Sequence, residues 1–246
     1  MAKEILDRLK EIQKKYSPFI TIVKNISNKT FKSKLEPNKF KTGKLRGIAI
    51  SVKDNICTAG IQSTAGSKIL QGYIPPFDAT VVERVKTAGG VIIGKTTMDE
   101  FGFGSFSTNC AYAVPKNPYD LERTCGGSSG GAACLTAVAD FPHIALAEST
   151  GGSISCPAAF CGVVGLTPTY GLVSRWGLID YANSLDKIGV MAKSVAETAL
   201  MLSIIAGYDE RDSTSLRVAQ KDYTKYLNKD VKRIKITLYA KAEHTC

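Results

Sequence analysis

Between residues 3 and 16 the apolar side chains Ile5, Leu6, Leu9 and Ile12 recur at three- and four-residue steps among charged ones, which predicts an amphipathic helix. A lysine-rich stretch with Asn and Pro follows and reads as an exposed connection. From Gly47 the texture changes. The run Gly47-Ile-Ala-Ile-Ser-Val-Lys53 predicts a short buried strand that ends on a lysine. Asp78 to Ala88 predicts a helix, with Asp78 as its N-cap and Gly89-Gly90 as its stop. Val91-Ile92-Ile93-Gly94 predicts a second buried strand, Ala132 to Ala139 a helix, and Ile144 to Ala147 a third strand. Ser194 and Glu197 form a capping box for a helix through Ile205 that closes near Gly207. Val231 to Tyr239 alternates as a strand would. Strand and helix succeed one another throughout, so the expected fold is α/β, a mixed, mainly parallel sheet covered by helices. Residues 1–246 show no internal repeat and read as a single domain.

Residues 102–131 interrupt this pattern with a segment rich in Gly, Ser, Asn and Pro, too long for a simple connection. Long loops inside compact domains usually carry function. A hydrophobic content of 44% and a charged content of 22% are ordinary for a globular protein. No apolar run approaches the roughly 20 residues of a membrane span, and the N-terminus lacks the apolar core of a secretory signal. The expected setting is cytoplasmic, with no membrane partner. The formal net charge is +10, with lysines gathered in 24–45 and 221–235. Such a surface could attract RNA phosphates, although composition alone favours a solvated face. Seven cysteines form no C-x-x-C pair, and His143 and His244 are the only imidazoles. A metal site is therefore not expected, and the cysteines read as free thiols.

Two Gly/Ser runs stand apart: Gly126-Gly127-Ser128-Ser129-Gly130-Gly131 and Thr150-Gly151-Gly152-Ser153. Glycines beside a serine leave backbone N–H groups uncovered, and successive N–H groups can converge on an oxyanion. Tight turns are the bland alternative. A serine nucleophile needs a base. His143 sits at a strand start and His244 close to the chain end, so neither fits well. Lysine serves when burial disfavours its ammonium form, and Lys53, ending an apolar strand, fits that requirement, although most lysines are merely surface charges.

Several segments in order resemble the amidase signature family. They are Gly47-Ile-Ala-Ile-Ser-Val-Lys53-Asp-Asn, Gly126-Gly-Ser-Ser-Gly-Gly, Thr150-Gly-Gly-Ser-Ile, Pro157 to Gly171, and Ser184-Leu-Asp-Lys-Ile-Gly. The resemblance implies Lys53 as catalytic lysine, Ser128 as bridging serine and Ser153 as acyl-forming nucleophile. It further implies that the backbone N–H groups of Thr150, Gly151, Gly152 and Ser153 bind the oxyanion. Within the family, Asn117-Pro-Tyr-Asp and Tyr170-Gly-Leu-Val-Ser-Arg-Trp-Gly-Leu resemble the glutaminase (A-type) components of tRNA-dependent amidotransferases. Such a component releases ammonia from glutamine and holds no cofactor of its own. Its partners, the B and C subunits, use ATP and Mg and bring the tRNA.

The chain departs from the family at Ser149, where an aspartate is usual, and at Ser155, where an arginine is usual. If those two brace the nucleophile loop as a pair, both have gone together, which is milder than losing one. Glu148 is placed to substitute in part. The resemblance also ends after Leu238, so the chain reads as the N-terminal portion of a longer protein, incomplete at the C-terminus. A sheet cut there exposes an unpaired edge, which implies aggregation or weak activity. Two other readings stand beside the amidotransferase one within the resemblance: a stand-alone amidase on a small amide, and an inactive fragment that only docks to a partner. Gly126-x-Ser128-x-Gly130 also fits the nucleophile elbow of α/β-hydrolases, which would require His244 as its base.

Overall fold

The computed structural model describes residues 2–24 and 43–229. Six strands form one sheet: β1 (Phe19–Ile22), β2 (Ala49–Lys53), β3 (Val91–Thr96), β4 (His143–Ser149), β5 (Val164–Leu166) and β6 (Lys187–Ala192), in the order β1-β3-β2-β4-β6-β5. The central strands β3, β2 and β4 run parallel, while β1–β3, β4–β6 and β5–β6 are antiparallel. Four strands thus share one direction, yet three of the five pairings are antiparallel, so the sheet is mixed and parallel only at its centre. That centre is buried on both sides, which is why β2 and β4 read as continuous apolar runs.

Five α-helices cover the sheet: α1 (Ala2–Tyr16), α2 (Thr80–Thr87), α3 (Gly130–Val138), α4 (Ser155–Cys161) and α5 (Val195–Ile205). Alternate strand residues divide the core between two faces. Ile50, Val52, Ile144, Leu146, Ile188 and Val190 pack with Val81, Val82, Val85 of α2 and Met201, Leu202, Ile205 of α5. On the opposite face Ala49, Val91 and Ile93 meet Leu9 and Ile12 of α1 and Leu135 of α3. Small residues there, including Ala145, Ala147, Ala132 and Ala133, let α3 lie close to the sheet.

The boundaries agree with expectation where local chemistry is strong. The capping box at α5 is present: Ser194 Oγ accepts from Glu197 N at 3.2 Å and Glu197 Oε2 from Ser194 N at 3.0 Å. At α2 the expectation fails. The helix starts at Thr80 with Ala79 as N-cap, and Asp78 caps nothing. Its carboxylate is engaged elsewhere, accepting from Ala59 N at 2.8 Å and from Lys86 Nζ at 2.7 Å. Strand β3 runs past Gly94 because Lys95 and Thr96 pair with Val52 and Lys53 of β2. Strands β1 and β5 and helix α4 are too short to stand out in the pattern, and in β6 Lys187 and Gly189 interrupt the apolar run. The expected strand at 231–239, most of the lysine-rich connection, and His244 lie outside the described residues. No described helix is long and apolar enough to cross a membrane.

Candidate active site

The carboxyl ends of the parallel strands β2 and β4 carry the candidate chemistry, as is usual where helices follow such strands. Lys53, the last residue of β2, is fully buried. Its Nζ donates to Ser128 Oγ at 2.7 Å, to Glu148 Oε2 at 2.9 Å and to the Glu148 carbonyl at 3.0 Å. An ammonium group has three donors, and each has an acceptor here. The end of β2 thus places a buried lysine against a serine hydroxyl.

The two glycine runs, alike in sequence, differ in structure. In the first, every glycine N–H is engaged. Gly126 N donates to Thr124 Oγ1, Gly127 N to the Ser105 carbonyl, Gly130 N to Ser107 Oγ and Gly131 N to the Thr97 carbonyl. A Cβ on Gly127 would stand 2.3 Å from Asp99 Oδ2, and one on Gly131 only 2.2 Å from Thr97 Oγ1. These glycines allow close packing, so this run is no anion nest. They seat Ser128 at the mouth of α3 against Lys53, after a cis Gly127–Ser128 peptide.

The second run follows β4 and leads into α4. Gly151 and Gly152 are exposed, and a Cβ on Gly151 would meet nothing within 4 Å. The backbone N–H groups of Thr150, Gly151, Gly152 and Ser153 make no hydrogen bond among the described residues. Donors left unpaired by the protein are what an oxyanion site needs. Ser153 is 9% exposed. Among the described residues no hydrogen bond joins its Oγ to Ser128 or Lys53. Catalytic contacts are often long without substrate.

Glu148 is the residue that sequence reasoning underrated. It is 1% exposed, and besides Lys53 it accepts from Asn55 Nδ2 at 3.2 Å. Thr150 Oγ1 lies 3.1 Å from Glu148 Oε1 and 2.6 Å from Asp186 Oδ1, and its single hydrogen can serve only one of them. Asp186 also accepts from the N–H groups of Tyr181 and Ala182 at 2.7 and 2.8 Å, which ties the Ser153 loop to the segment before β6. Asp186 lies in the Ser184-Leu-Asp-Lys segment of the family pattern, but nothing in that pattern marks its partner. Ser149 is buried and its hydroxyl has no hydrogen-bond partner, whereas Ser155 is exposed at the start of α4. The position where an aspartate is usual is therefore a neutral, unpaired hydroxyl.

A second buried lysine lies beside the site without belonging to it. Lys95 Nζ donates to the Ile56 carbonyl at 2.7 Å and to Ser63 Oγ at 2.6 Å, with Asp54 Oδ1 at 3.8 Å. Burial pulls its pKa down to about 8, against the attraction of Asp54, and burial pushes Asp54 up. His143 is buried at the start of β4, with Nε2 2.9 Å from Ser51 Oγ. Desolvation lowers its pKa to about 3, so the ring stays neutral and takes no part in the Lys53–Ser128 contact. Among the described residues no group of three or more His, Cys, Asp and Glu side chains is placed to hold a metal ion.

The amidase family profile matches residues 1–246. This chain belongs to the amidase family. The A subunit of the glutamyl-tRNA(Gln) amidotransferase of Carboxydothermus hydrogenoformans is 47% identical over 240 residues, 97% of this chain and 49% of that protein. The crystal structure of the corresponding A subunit of the glutamyl-tRNA(Gln) amidotransferase from Thermotoga maritima superposes with a TM-score of 0.79 at 43% identity, covering 87% of this chain and 45% of that one. Native peptide amidase from Stenotrophomonas maltophilia superposes with a TM-score of 0.70 at 42% identity, covering 74% and 39%. The chain thus spans about half the length of the curated relatives it matches.

Proposed function

We propose that this chain carries the Ser–Ser–Lys machinery of the glutamine-hydrolysing component of a tRNA-dependent amidotransferase. The observation that carries this reading is the contact of 2.7 Å between buried Lys53 and Ser128, beside the free N–H groups of the Ser153 loop. Lys53, once neutral, takes a proton from Ser128, which takes one from Ser153. Ser153 Oγ attacks the side-chain amide carbonyl, and the oxyanion settles among the N–H groups of residues 150–153. The proton returns through Ser128 to the departing nitrogen, ammonia leaves, and water then hydrolyses the acyl-serine. This is a lysine-based version of the triad logic. ATP and Mg belong to the partner subunits, which also bring the charged tRNA.

The test has two parts. A fluorophosphonate probe is expected to label Ser153, with labelling abolished in Ser153→Ala and strongly reduced in Lys53→Ala. Ammonia release from glutamine is then measured with and without B and C subunits, ATP and charged tRNA. Stimulation by the full set supports the amidotransferase reading. Brisk turnover of simple amides with no stimulation would favour a stand-alone amidase, the reading that the likeness to a peptide amidase keeps open. Labelling at Ser128 in place of Ser153 would overturn both.

A further inference from the structure

The geometry points to Glu148 as a positioning residue that aims the Lys53 lone pair at Ser128 and stabilises the charge Lys53 acquires. This rests on the Ser–Ser–Lys reading above and adds a fourth member to it. A neutral amine has two N–H bonds and one lone pair. Of the three groups around Lys53 Nζ, two are oxygens of a single residue: the Glu148 carbonyl at 3.0 Å and Glu148 Oε2 at 2.9 Å. Neither can donate, so both must take the two N–H bonds. The lone pair is then left facing the only group that can give it a proton, the Ser128 hydroxyl at 2.7 Å. Glu148 is itself fixed, by its place in β4 opposite Ile188 of β6 and by Asn55 Nδ2 at 3.2 Å. Gly102 covers the assembly, its hypothetical Cβ 3.8 Å from Glu148 Oε2 and 3.9 Å from Ser128 Oγ.

The carboxylate has an electrostatic effect as well. When Lys53 takes the relayed proton it becomes an ammonium ion 2.9 Å from Oε2, inside a dry site where such attraction is strong. The other titratable groups around Glu148 are Asp186, reached through Thr150, Lys187 of β6, which donates to the Thr150 carbonyl at 3.0 Å, and Tyr181. None of them touches Lys53 Nζ, so Glu148 is its sole charged neighbour among the described residues.

The experiment uses the full chain and the rate of fluorophosphonate labelling at Ser153 against pH, a readout of nucleophile activation that needs no natural substrate. In that reaction a Ser153 O–P bond forms, the P–F bond breaks, fluoride leaves, and the proton passes through Ser128 to Lys53. Glu148→Gln keeps an oxygen acceptor and removes the charge. Its acid limb is expected to lie below that of wild type, because the charge 2.9 Å from the proton acceptor is gone. Glu148→Ser leaves no side-chain acceptor within reach of Lys53 Nζ, and is expected to move the limb as far and to lower the plateau roughly tenfold or more below that of Glu148→Gln. Glu148→Asp, which keeps the charge one methylene further back, is expected to fall between wild type and Glu148→Gln. A fall in rate with the acid limb unmoved in both Glu148→Gln and Glu148→Ser overturns the proposal and makes Glu148 merely structural. Labelling that persists in Ser153→Ala, or wild-type labelling without an acid limb, strikes the Ser–Ser–Lys reading instead.

Discussion

Lys53 Nζ and Ser128 Oγ, 75 residues apart in the chain, meet at 2.7 Å with the lysine wholly out of solvent. That contact joins the end of the central strand to the start of α3, so it is structural as well as chemical. Breaking it from one side leaves the Glu148 carboxylate buried without its cation. Lys53→Met is therefore expected to cost on the order of 3–5 kcal/mol. The double variant Lys53→Met/Glu148→Gln removes both charges and is expected to recover most of that loss. Urea midpoints of the two single variants and the double variant check this, and a double variant as unstable as the sum of the singles would refute it.

The two glycine runs are expected to respond oppositely to alanine. In Gly131→Ala the new methyl would meet Thr97 Oγ1 at 2.2 Å and the Pro18 carbonyl at 2.5 Å, so the chain must shift. Overpacking of this kind costs about 1–3 kcal/mol or more. Gly151→Ala meets nothing within 4 Å and is expected to leave the melting temperature within a degree or two of wild type, a change below roughly 0.5 kcal/mol. Thermal unfolding of the pair decides the matter.

Acid is expected to destabilise the chain through His143. The unfolded chain binds a proton near the ordinary value of 6.5, while the buried ring, disfavoured by desolvation, resists it until about 3. The unfolded state thus holds more protons in that window, and stability falls as pH drops from about 6.5 towards 3. Lys95 acts in the alkaline range with the same sign. Its folded value of about 8 lies below the ordinary 10.5, so the cost of burying its charge is relieved as pH rises between them. Unfolding free energies from pH 4 to pH 7, compared with His143→Gln, should show a flatter acid slope in the variant.

Thiol reagents are expected to divide the described cysteines. Cys57, Cys125, Cys134 and Cys161 are buried, whereas Cys110 and Cys156 are half-buried. A hydrogen bond with Cys134 pushes the Cys125 thiol up, and one with Cys125 does the same to Cys161, with burial adding to both. Only thiolates react quickly. Cys110 and Cys156 should be modified in the native chain and the other four only in denaturant, as mass spectrometry of the modified peptides would show.

Much of this architecture is visible in the sequence where a residue's neighbours in the chain decide its role. The capping box at Ser194 and Glu197 and the apolar run ending at Lys53 are of that kind. Asp78 shows the limit, because its carboxylate goes to Ala59 and Lys86 in preference to the helix start beside it. Lys95 shows it again, since a lysine breaks the apolar pattern of β3 although the strand continues through it. The glycines around Ser128 and those before Ser153 spell the same motif. Packing partners distant in the chain, Pro18, residues 97–107, Pro157 and Phe160, separate a compact support from an open cradle. Glu148 stands next to Ser149, where the chain departs from its family, yet its contact with Lys53 spans 95 residues and has no local signature.

The pairing of Glu148 with Lys53 beside the orphaned hydroxyl of Ser149 also bears on how this strand end can evolve. Family resemblance leads one to expect an acidic residue at position 149, and here the negative charge stands one place earlier. Lys53 has no other acid within ion-pair reach among the described residues, so loss of Glu148 alone would strand a buried cation. Lineages descended from this chain are therefore expected to keep Glu148 for as long as they keep Lys53, whatever comes to stand at position 149.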